Sequence, residues 1–310
     1  TRMKILVPGG CGYIGAMLVP QLLADGHRVT VYDNQMFGRG HLPDDNGNLN
    51  VINGDVRHSA TFRASCEGQD AVIYLAGITS DAMCQKDKGL AYLVNVEAFG
   101  KCFEIARGIP RFIYASSVAA YGSSASDATE DTALEPTTIY ATHKALCESI
   151  ALDATIVRSA SVCGYSTRQR FDLTVNRMVH DAVRKGVITV NGGEQKRSHI
   201  HIKDICDFYK LLLKAPLRKI AGQVFNVVGE NQPVLETAHI VAEYIPCSLD
   251  IRPRTDNRSY SVSGAKTWDV LAFRPKRTVA DAVRDLKIKF DCGYWPDSQT
   301  NAAYMNQVAA

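Results

Sequence analysis

Tyr140-Ala141-Thr142-His143-Lys144 places a phenol and an amine four positions apart. The segment reads as a helix starting near Thr137 or Thr138, so both side chains share one face. A phenol is almost wholly protonated at neutral pH. An ammonium one turn away, together with a positive nicotinamide ring, favours the phenolate. Such a pair can take the proton of a hydroxyl while hydride leaves the same carbon. Ser116-Ser117, closing an apolar run, add a hydroxyl able to bond the same oxygen. Tyr140, Lys144 and Ser117 are therefore the candidate catalytic residues, with Lys144 also placed to hold a nicotinamide ribose. Taken alone, the tyrosine–lysine spacing equally describes an amphipathic surface pair.

Upstream, Pro8-Gly9-Gly10-Cys11-Gly12-Tyr13-Ile14-Gly15 follows the apolar run 3–7 and opens into a helix-patterned stretch over 16–24. Strand, tight turn and helix in that order form a phosphate cradle. Gly9 and Gly12 let the backbone approach an anion without a Cβ, and Gly15 lets the helix lie close to the strand. The helix N-terminus offers free N–H groups and a partial positive charge. Two residues separate successive glycines, whereas the usual dinucleotide fingerprint has one and then two. Asp33 closes a second apolar run. A carboxylate there accepts both hydroxyls of an adenosine ribose and repels a 2′-phosphate, which favours NAD over NADP. Followed by Asn34, Asp33 also fits a loop cap. Asp55-Val56 can similarly meet the adenine amino group.

Holding these groups together requires strands that end on a common edge. Apolar runs at 28–33, 50–53, 71–76, 111–116 and 154–158 alternate with helical patterns. Repeated βα units of this kind imply an α/β fold, a Rossmann-type doubly wound parallel sheet covered on both faces. Gly9, Asp33, Asp55, Gly77, Ser116 and Ser159 would then gather at one crevice. From about Phe171 the pattern loosens into helices near 172–184, 203–214 and 279–289, with short strands near 187–190 and 223–227. Residues 1–165 read as the dinucleotide-binding domain, its sheet completed by the strand near 223–227. Residues 166–310 read mainly as a smaller C-terminal substrate-binding lobe closing over the crevice. The polar tail from Asp291, with Pro296, is expected to be a surface segment or loosely held.

Composition bounds the reading. A chain of 310 residues with 46% hydrophobic and 22% charged content buries a large core. A net charge of +3 argues against nucleic acid or a membrane surface as partner. Nine scattered cysteines without C-x-x-C pairs suit reduced thiols in a cytoplasmic protein. No stretch has the length of a membrane span, and the chain opens on a strand instead of a signal peptide. His199-x-His201 puts two imidazoles on one strand face, but two ligands without a third make no metal site, so core or surface histidines are expected and no metal. His143 should face away from the Tyr140–Lys144 side.

Gly9-x-x-Gly12-x-x-Gly15, Asp33, Asp55-Val56, Leu75-Ala76-Gly77, Asn95, Ser116-Ser117, Tyr121-Gly122 and Tyr140-x-x-x-Lys144, in this order, closely resemble the extended short-chain dehydrogenase/reductases. More narrowly, the chain resembles their NAD-dependent nucleotide-sugar epimerase/dehydratase branch along nearly its whole length. The segment 192–204, Phe225-Asn226-Val227-Val228-Gly229 and Asp256-Asn257-Arg258-Ser259-Tyr260 also match. The resemblance implies NAD held by Gly9, Gly12, Tyr13, Ile14, Gly15, Asp33, Asn34, Asp55, Val56, Leu75, Ala76, Gly77, Asn95, Ser116, Tyr140 and Lys144. It implies a nucleotide-diphosphate sugar held by Arg197 and Arg258, whose planar forks suit phosphate oxygens. Asn176 resembles an asparagine facing the same diphosphate, and Ser80 and Ser117 stand where sugar contacts are expected. Cys84, in the same cluster, fits a buried small hydrophobe as well. A homodimer through the helices near 90–107 and 138–151 is likewise implied.

Departures from the family pattern narrow the chemistry. Relatives that remove water from the sugar carry an acidic pair directly after the catalytic hydroxyl, and here Val118 and Ala119 occupy those places. Galactose-type 4-epimerases usually have Asn where Ser161 stands. Similarity in the Arg170-x-Asp172-Leu173-x-x-Asn176 run extends to 4-dehydrogenases or reductases. The reading is an NAD-dependent nucleotide-sugar epimerase acting at C4 through a transient 4-keto sugar. A 4-dehydrogenase/reductase is the alternative, and a non-catalytic NAD-binding sensor or scaffold is the alternative of another class.

Overall fold

The computed structural model describes residues 2–44, 47–123, 127–254 and 258–306. Its strands are β1 (Lys4–Pro8), β2 (Arg28–Asp33), β3 (Leu49–Asn53), β4 (Ala71–Tyr74), β5 (Arg111–Ser117), β6 (Asp127–Ala128), β7 (Thr155–Ser159) and β8 (Ser161–Cys163), then β9 (Val187–Asn191), β10 (Lys196–His201), β11 (Val224–Val227), β12 (Glu230–Pro233), β13 (Ser248–Arg252) and β14 (Ser261–Val262). The helices are α1 (Gly15–Ala24), α2 (Ser59–Cys66), α3 (Asp81–Lys86), α4 (Lys88–Tyr92), α5 (Phe99–Ala106) and α6 (Ile139–Ile150), then α7 (Thr174–Lys185), α8 (Ile202–Lys214), α9 (Leu217–Ile220), α10 (Val234–Tyr244), α11 (Ala265–Leu271) and α12 (Val279–Asp291).

Seven parallel strands form the main sheet in the order β11-β7-β5-β4-β1-β2-β3. Strand order reverses between β1 and β4, and a crevice opens at the C-terminal strand ends beside that switch point. Both faces are covered, which is why the strands read as continuous apolar runs. Ile5, Val7, Val31 and Phe225 pack under α1 and α8, whereas Leu6, Tyr32, Tyr74 and Tyr114 pack against α2, α5 and α6. Side chains alternate across a strand, so neighbouring residues of β1 serve opposite layers. The helix at 202–214, read in the sequence as part of the lobe, covers this sheet beside α1.

A third core, built on Phe171, Val179, Ile188, Val241, Leu286 and Phe290, holds α7, α10 and α12 together with β9. From Asp291 to Asn306 the tail runs mostly exposed along the surface, as expected, but it is anchored to this core and not loosely held. Trp295 is buried with its ring edge-on to Phe171 at 5.1 Å, and Phe171 N donates to Tyr304 O at 2.6 Å. Two aromatic rings and a backbone bond outweigh the polar composition that suggested looseness. His199 and His201 are both buried, and His201 caps α8 by accepting from Lys203 N at 3.1 Å.

Candidate active site

Along the strand ends and under the lobe runs one cavity of about 660 Å³. Every candidate residue lines it except Asn95 and Asn176. At its floor, Gly9 has a φ of +79°, and a Cβ there would stand 2.5 Å from Ala76 N. A Cβ on Gly15 would strike the Gly10 carbonyl. These two positions can only be glycine, and the closeness they permit lets α1 start hard against the turn. α1 has no side-chain cap, leaving its N-terminus available to an anion. The cradle therefore fits the phosphates of a dinucleotide.

Asp33 marks the far end of the cradle. Its carboxylate accepts from Cys11 N at 3.0 Å and Gln35 N at 2.8 Å, and burial raises its pKa against those two bonds. Asp55 already holds a partner: its oxygens accept from Arg57 Nε at 2.9 Å and Arg57 Nη2 at 2.6 Å, which keeps the acid below its ordinary range. Adenine reaching this carboxylate would have to share it.

Thr138 caps α6 by accepting from Ala141 N at 3.2 Å, so the helix starts one residue before Tyr140. Lys144 follows one turn later, 8% exposed, with Nζ donating to Ala115 O at 2.6 Å and lying 5.6 Å from the Tyr140 ring centre. Burial lowers the ammonium to about 8. Tyr140 departs from expectation. Burial pushes its phenol well above the ordinary value; opposing it are the nearby charge of Arg170 and a hydrogen bond with Ser117, while Asp81 and Cys84 add to the rise. Lys144 is turned to the Ala115 carbonyl, and Arg170 brings a further positive charge to the phenol that the sequence alone does not place there.

Arg170 is held by a bidentate pair with Asp172, at 2.9 and 2.6 Å, and donates Nη1 to Thr79 Oγ1 at 2.9 Å. Burial alone would lower its pKa, but the Asp172 charge and bonds raise it, so it stays cationic beside Tyr140. The Arg170-x-Asp172 run is visible in the sequence, but its place beside Tyr140 is not: Thr79 lies after β4, and only the fold joins it to Arg170.

Four candidates have roles different from direct contact. Ser116 and Ser117 are adjacent on β5 and so point oppositely. Ser116 Oγ donates to Glu148 at 2.5 Å on the buried side, while Ser117 is the one that meets Tyr140. Tyr13 turns its phenol inward, donating to Gly164 O at 2.6 Å, so only its backbone serves the cradle. Asn95 sits in a π-helical turn, 93–98, and clamps the Ile78 backbone, accepting from its N–H at 2.7 Å and donating to its carbonyl at 2.9 Å. Asn176 is fully buried behind the cavity; it accepts from Gly164 N at 2.9 Å and donates to Tyr13 Oη at 3.0 Å and Arg170 O at 2.9 Å. The asparagine thus fixes the loop that carries Arg170 and does not face the cavity.

Over the opposite end, Arg197 and Arg258 come together, Arg197 Nη1 donating to Arg258 O at 2.6 Å and stacking over Tyr260 at 5.4 Å. Arg258 reaches across to Asp81 at 3.1 Å. Ser80, next to Asp81, lines the space between these arginines and Tyr140. Asp256 and Asn257 lie outside the described residues. His143 faces away from the cavity, its ring beside Tyr92 at 5.8 Å. Among the described residues no helix is long and apolar enough to cross a membrane.

A family model described as the NAD dependent epimerase/dehydratase family matches residues 5–228. UDP-glucose 4-epimerase of Lactobacillus helveticus is 27% identical, the match covering 91% of this chain and 94% of that protein. Among solved structures, UDP-glucuronic acid 4-epimerase from Bacillus cereus, in complex with UDP-glucuronic acid and NAD, superimposes with a TM-score of 0.85 at 21% identity, covering 94% of this chain and all of that one. DesIV, a dTDP-glucose 4,6-dehydratase from Streptomyces venezuelae with NAD bound, gives 0.85 at 24% identity, covering 94% of this chain and 98% of its own. These two likenesses are of fold.

Proposed function

The chain belongs to the NAD dependent epimerase/dehydratase family and is an NAD-dependent enzyme, and on that premise we propose that it inverts C4 of a nucleotide-diphosphate sugar through a transient 4-keto sugar. One observation carries the choice within the family: Val118 and Ala119 line the cavity beside Ser117, where elimination of water would need acids. With aliphatic groups there, the reaction stops at oxidation and reduction of the ring carbon.

NAD, when bound, supplies the acceptor and then the donor of hydride. The glycine turn and the α1 N-terminus hold its diphosphate, and Asp33 its adenosine ribose. Tyr140 Oη takes the proton of the sugar hydroxyl and later returns one to the carbonyl oxygen of the keto sugar, once the ring has turned its opposite face to the hydride donor. Ser117 Oγ bonds the same oxygen and keeps it near the phenol. Arg170 supplies a fixed positive charge beside Tyr140, to which Lys144, one helical turn on, adds its own. Arg197 and Arg258 grip the substrate diphosphate, leaving the sugar ring free to turn over. For Arg258 this means exchanging Asp81 for a phosphate.

Incubation with UDP-, GDP- and dTDP-hexoses and NAD, followed by NADH absorbance and product stereochemistry, tests the reading. An inverted sugar without accumulated NADH is expected; stoichiometric NADH or free keto sugar makes the enzyme a 4-dehydrogenase. Tyr140→Phe should lose roughly a thousandfold in turnover, within the range of a lost general base.

The same proposal includes a homodimer. Tyr92 and Leu93 around the end of α4, with Leu146 and Ile150 on α6, leave an exposed apolar strip. Leu146→Glu with Ile150→Glu should shift sedimentation from dimer to monomer. All nine cysteines are unpaired, which supports a reduced, cytoplasmic setting.

A further inference from the structure

Arg168 lies in the loop between β8 and α7, 5% exposed, and lines the cavity. Its neighbours fasten that loop to the phosphate cradle: Ser166 Oγ donates to Tyr13 O at 2.8 Å, and Thr167 Oγ1 to Ala16 O at 3.4 Å. The guanidinium stacks on Phe37, its Cζ 3.8 Å from the ring centre. Among the described residues its nitrogens reach only neutral acceptors, Asn306 Oδ1 at 2.7 Å, Gln169 O at 3.3 Å and Ala303 O at 3.4 Å. Among the described residues no carboxylate lies within ion-pair distance of it. A buried cation without a counter-charge is expensive to keep. Its surroundings bear out the imbalance, since burial first and then the charge of Arg170 bring its pKa down to about 10, with Asp172 and Asp33 opposing.

Two positive features therefore share the cavity wall: the α1 N-terminus and Arg168, whose loop is tied to Tyr13 and Ala16. An anion bound at the α1 end would supply the counter-charge. A second observation points the same way. Met305 and Asn306, from the last described turn of the chain, line the cavity together with Phe37 and Asp33, and Asn306 is tied down by Arg168.

We propose that Arg168 is a cofactor-binding residue whose guanidinium provides counter-charge to the dinucleotide diphosphate and, through Asn306, fastens the segment 302–306 as a clasp over the adenosine end of the crevice. The clasp explains how the cofactor stays through successive turnovers, a consequence that rests on the epimerase reading; the binding contact does not. An enzyme that regenerates NAD in each cycle gains nothing by releasing it.

Binding measurements on the full chain test this without turnover. In calorimetry, Arg168→Ala is expected to weaken NAD and ADP-ribose at least tenfold and adenosine, which has no phosphate, only by the smaller, few-fold loss of an unfastened clasp. Arg168→Lys keeps the charge and loses the fork, so its loss should be smaller. Asn306→Ala, which leaves Arg168 in place, should speed NADH release several-fold by stopped-flow fluorescence. Unchanged NAD affinity in Arg168→Ala overturns the proposal, as does an equal loss for adenosine, which would mean stacking on the base. Unchanged NADH release in Asn306→Ala overturns the clasp. Circular dichroism on each variant identifies any that misfold; if Arg168→Ala does, Arg168→Lys and Asn306→Ala decide between these outcomes. Because none of these readouts needs a sugar, they stand apart from the failure of the epimerase assignment, which only product analysis can reveal.

Discussion

Arg158 and Arg168 are each 5% exposed, yet one lies in a closed network and the other beside an open cavity. On β7, Arg158 donates to both oxygens of Glu148, at 2.7 and 3.1 Å, and to Tyr121 Oη at 2.7 Å. Ser116 fills a further place on Glu148, and Asn226 a place on Tyr121 at 2.8 Å. Burial would lower the Arg158 pKa, but hydrogen bonding to Glu148 and its charge raise it. Among the described residues Arg168 has no such partner, and burial, with the charge of Arg170, lowers its pKa. Equal burial with opposite shifts separates a charge that the protein has neutralised for itself from one it leaves for a ligand. The first network ties α6, β5 and β7 into a fixed platform under Tyr140, and the second faces what the platform serves.

The largest effect should come from breaking the closed network. Glu148→Ala strands the Arg158 charge and releases Ser116, which should cost about 3–5 kcal/mol in urea unfolding. Arg168→Ala removes hydrogen bonds to neutral acceptors and should cost only about 1 kcal/mol. If the two losses were equal, the contrast between a neutralised and a waiting charge would not hold.

Acid provides a second way in, because another buried group depends on staying neutral. Among the described residues, His199 on β10 has no hydrogen-bond partner at either ring nitrogen. Burial, then the charge of Arg197, lowers its pKa from 6.5 to about 4. An unfolded chain binds the proton at the higher value, so between these two the unfolded state holds more protons. Stability should therefore fall as pH drops through that window, by up to about 3 kcal/mol from this group. Urea midpoints at about pH 7.5 and about pH 5 should converge in His199→Gln relative to the parent chain. An unchanged gap would mean that the imidazole is protonated as readily as in the open chain.

The smallest effect belongs to Arg57. Its pair with Asp55 is geometrically as good as that of Arg158, but its side chain is 38% exposed. Water screens such a pair, so Arg57→Ala should change the unfolding free energy by less than about 1 kcal/mol. A loss approaching that of Glu148→Ala would show that bidentate geometry, and not burial, governs these pairs.

What could be read along the chain was whatever depends on near neighbours. The strand runs, the glycine turn and the Tyr140–Lys144 spacing are local patterns, and the described structure places them on β1, α1 and α6. Asp33 was legible for the same reason, as the last residue of β2. Residue type was a poorer guide where burial decides. Asn176 and Asn95 had the expected amides, but their hydrogen bonds go to the backbone around Gly164 and Ile78, and neither lines the cavity. Ser116 and Ser117 looked interchangeable until the pleat of β5 gave one to Glu148 and the other to Tyr140.

The sequence by itself determined the βα order, the cradle and the candidate acid–base pair, because turns, helices and strands are set by residues within a few positions of each other. Only the tertiary structure decided which charges are cancelled and which are left open. Arg158 meets Tyr121, Arg170 meets Thr79, and Arg168 meets Asn306 across long separations in the chain. Electrostatics acts through space, so the counter-charge of a buried group is unknown until the chain has folded around it.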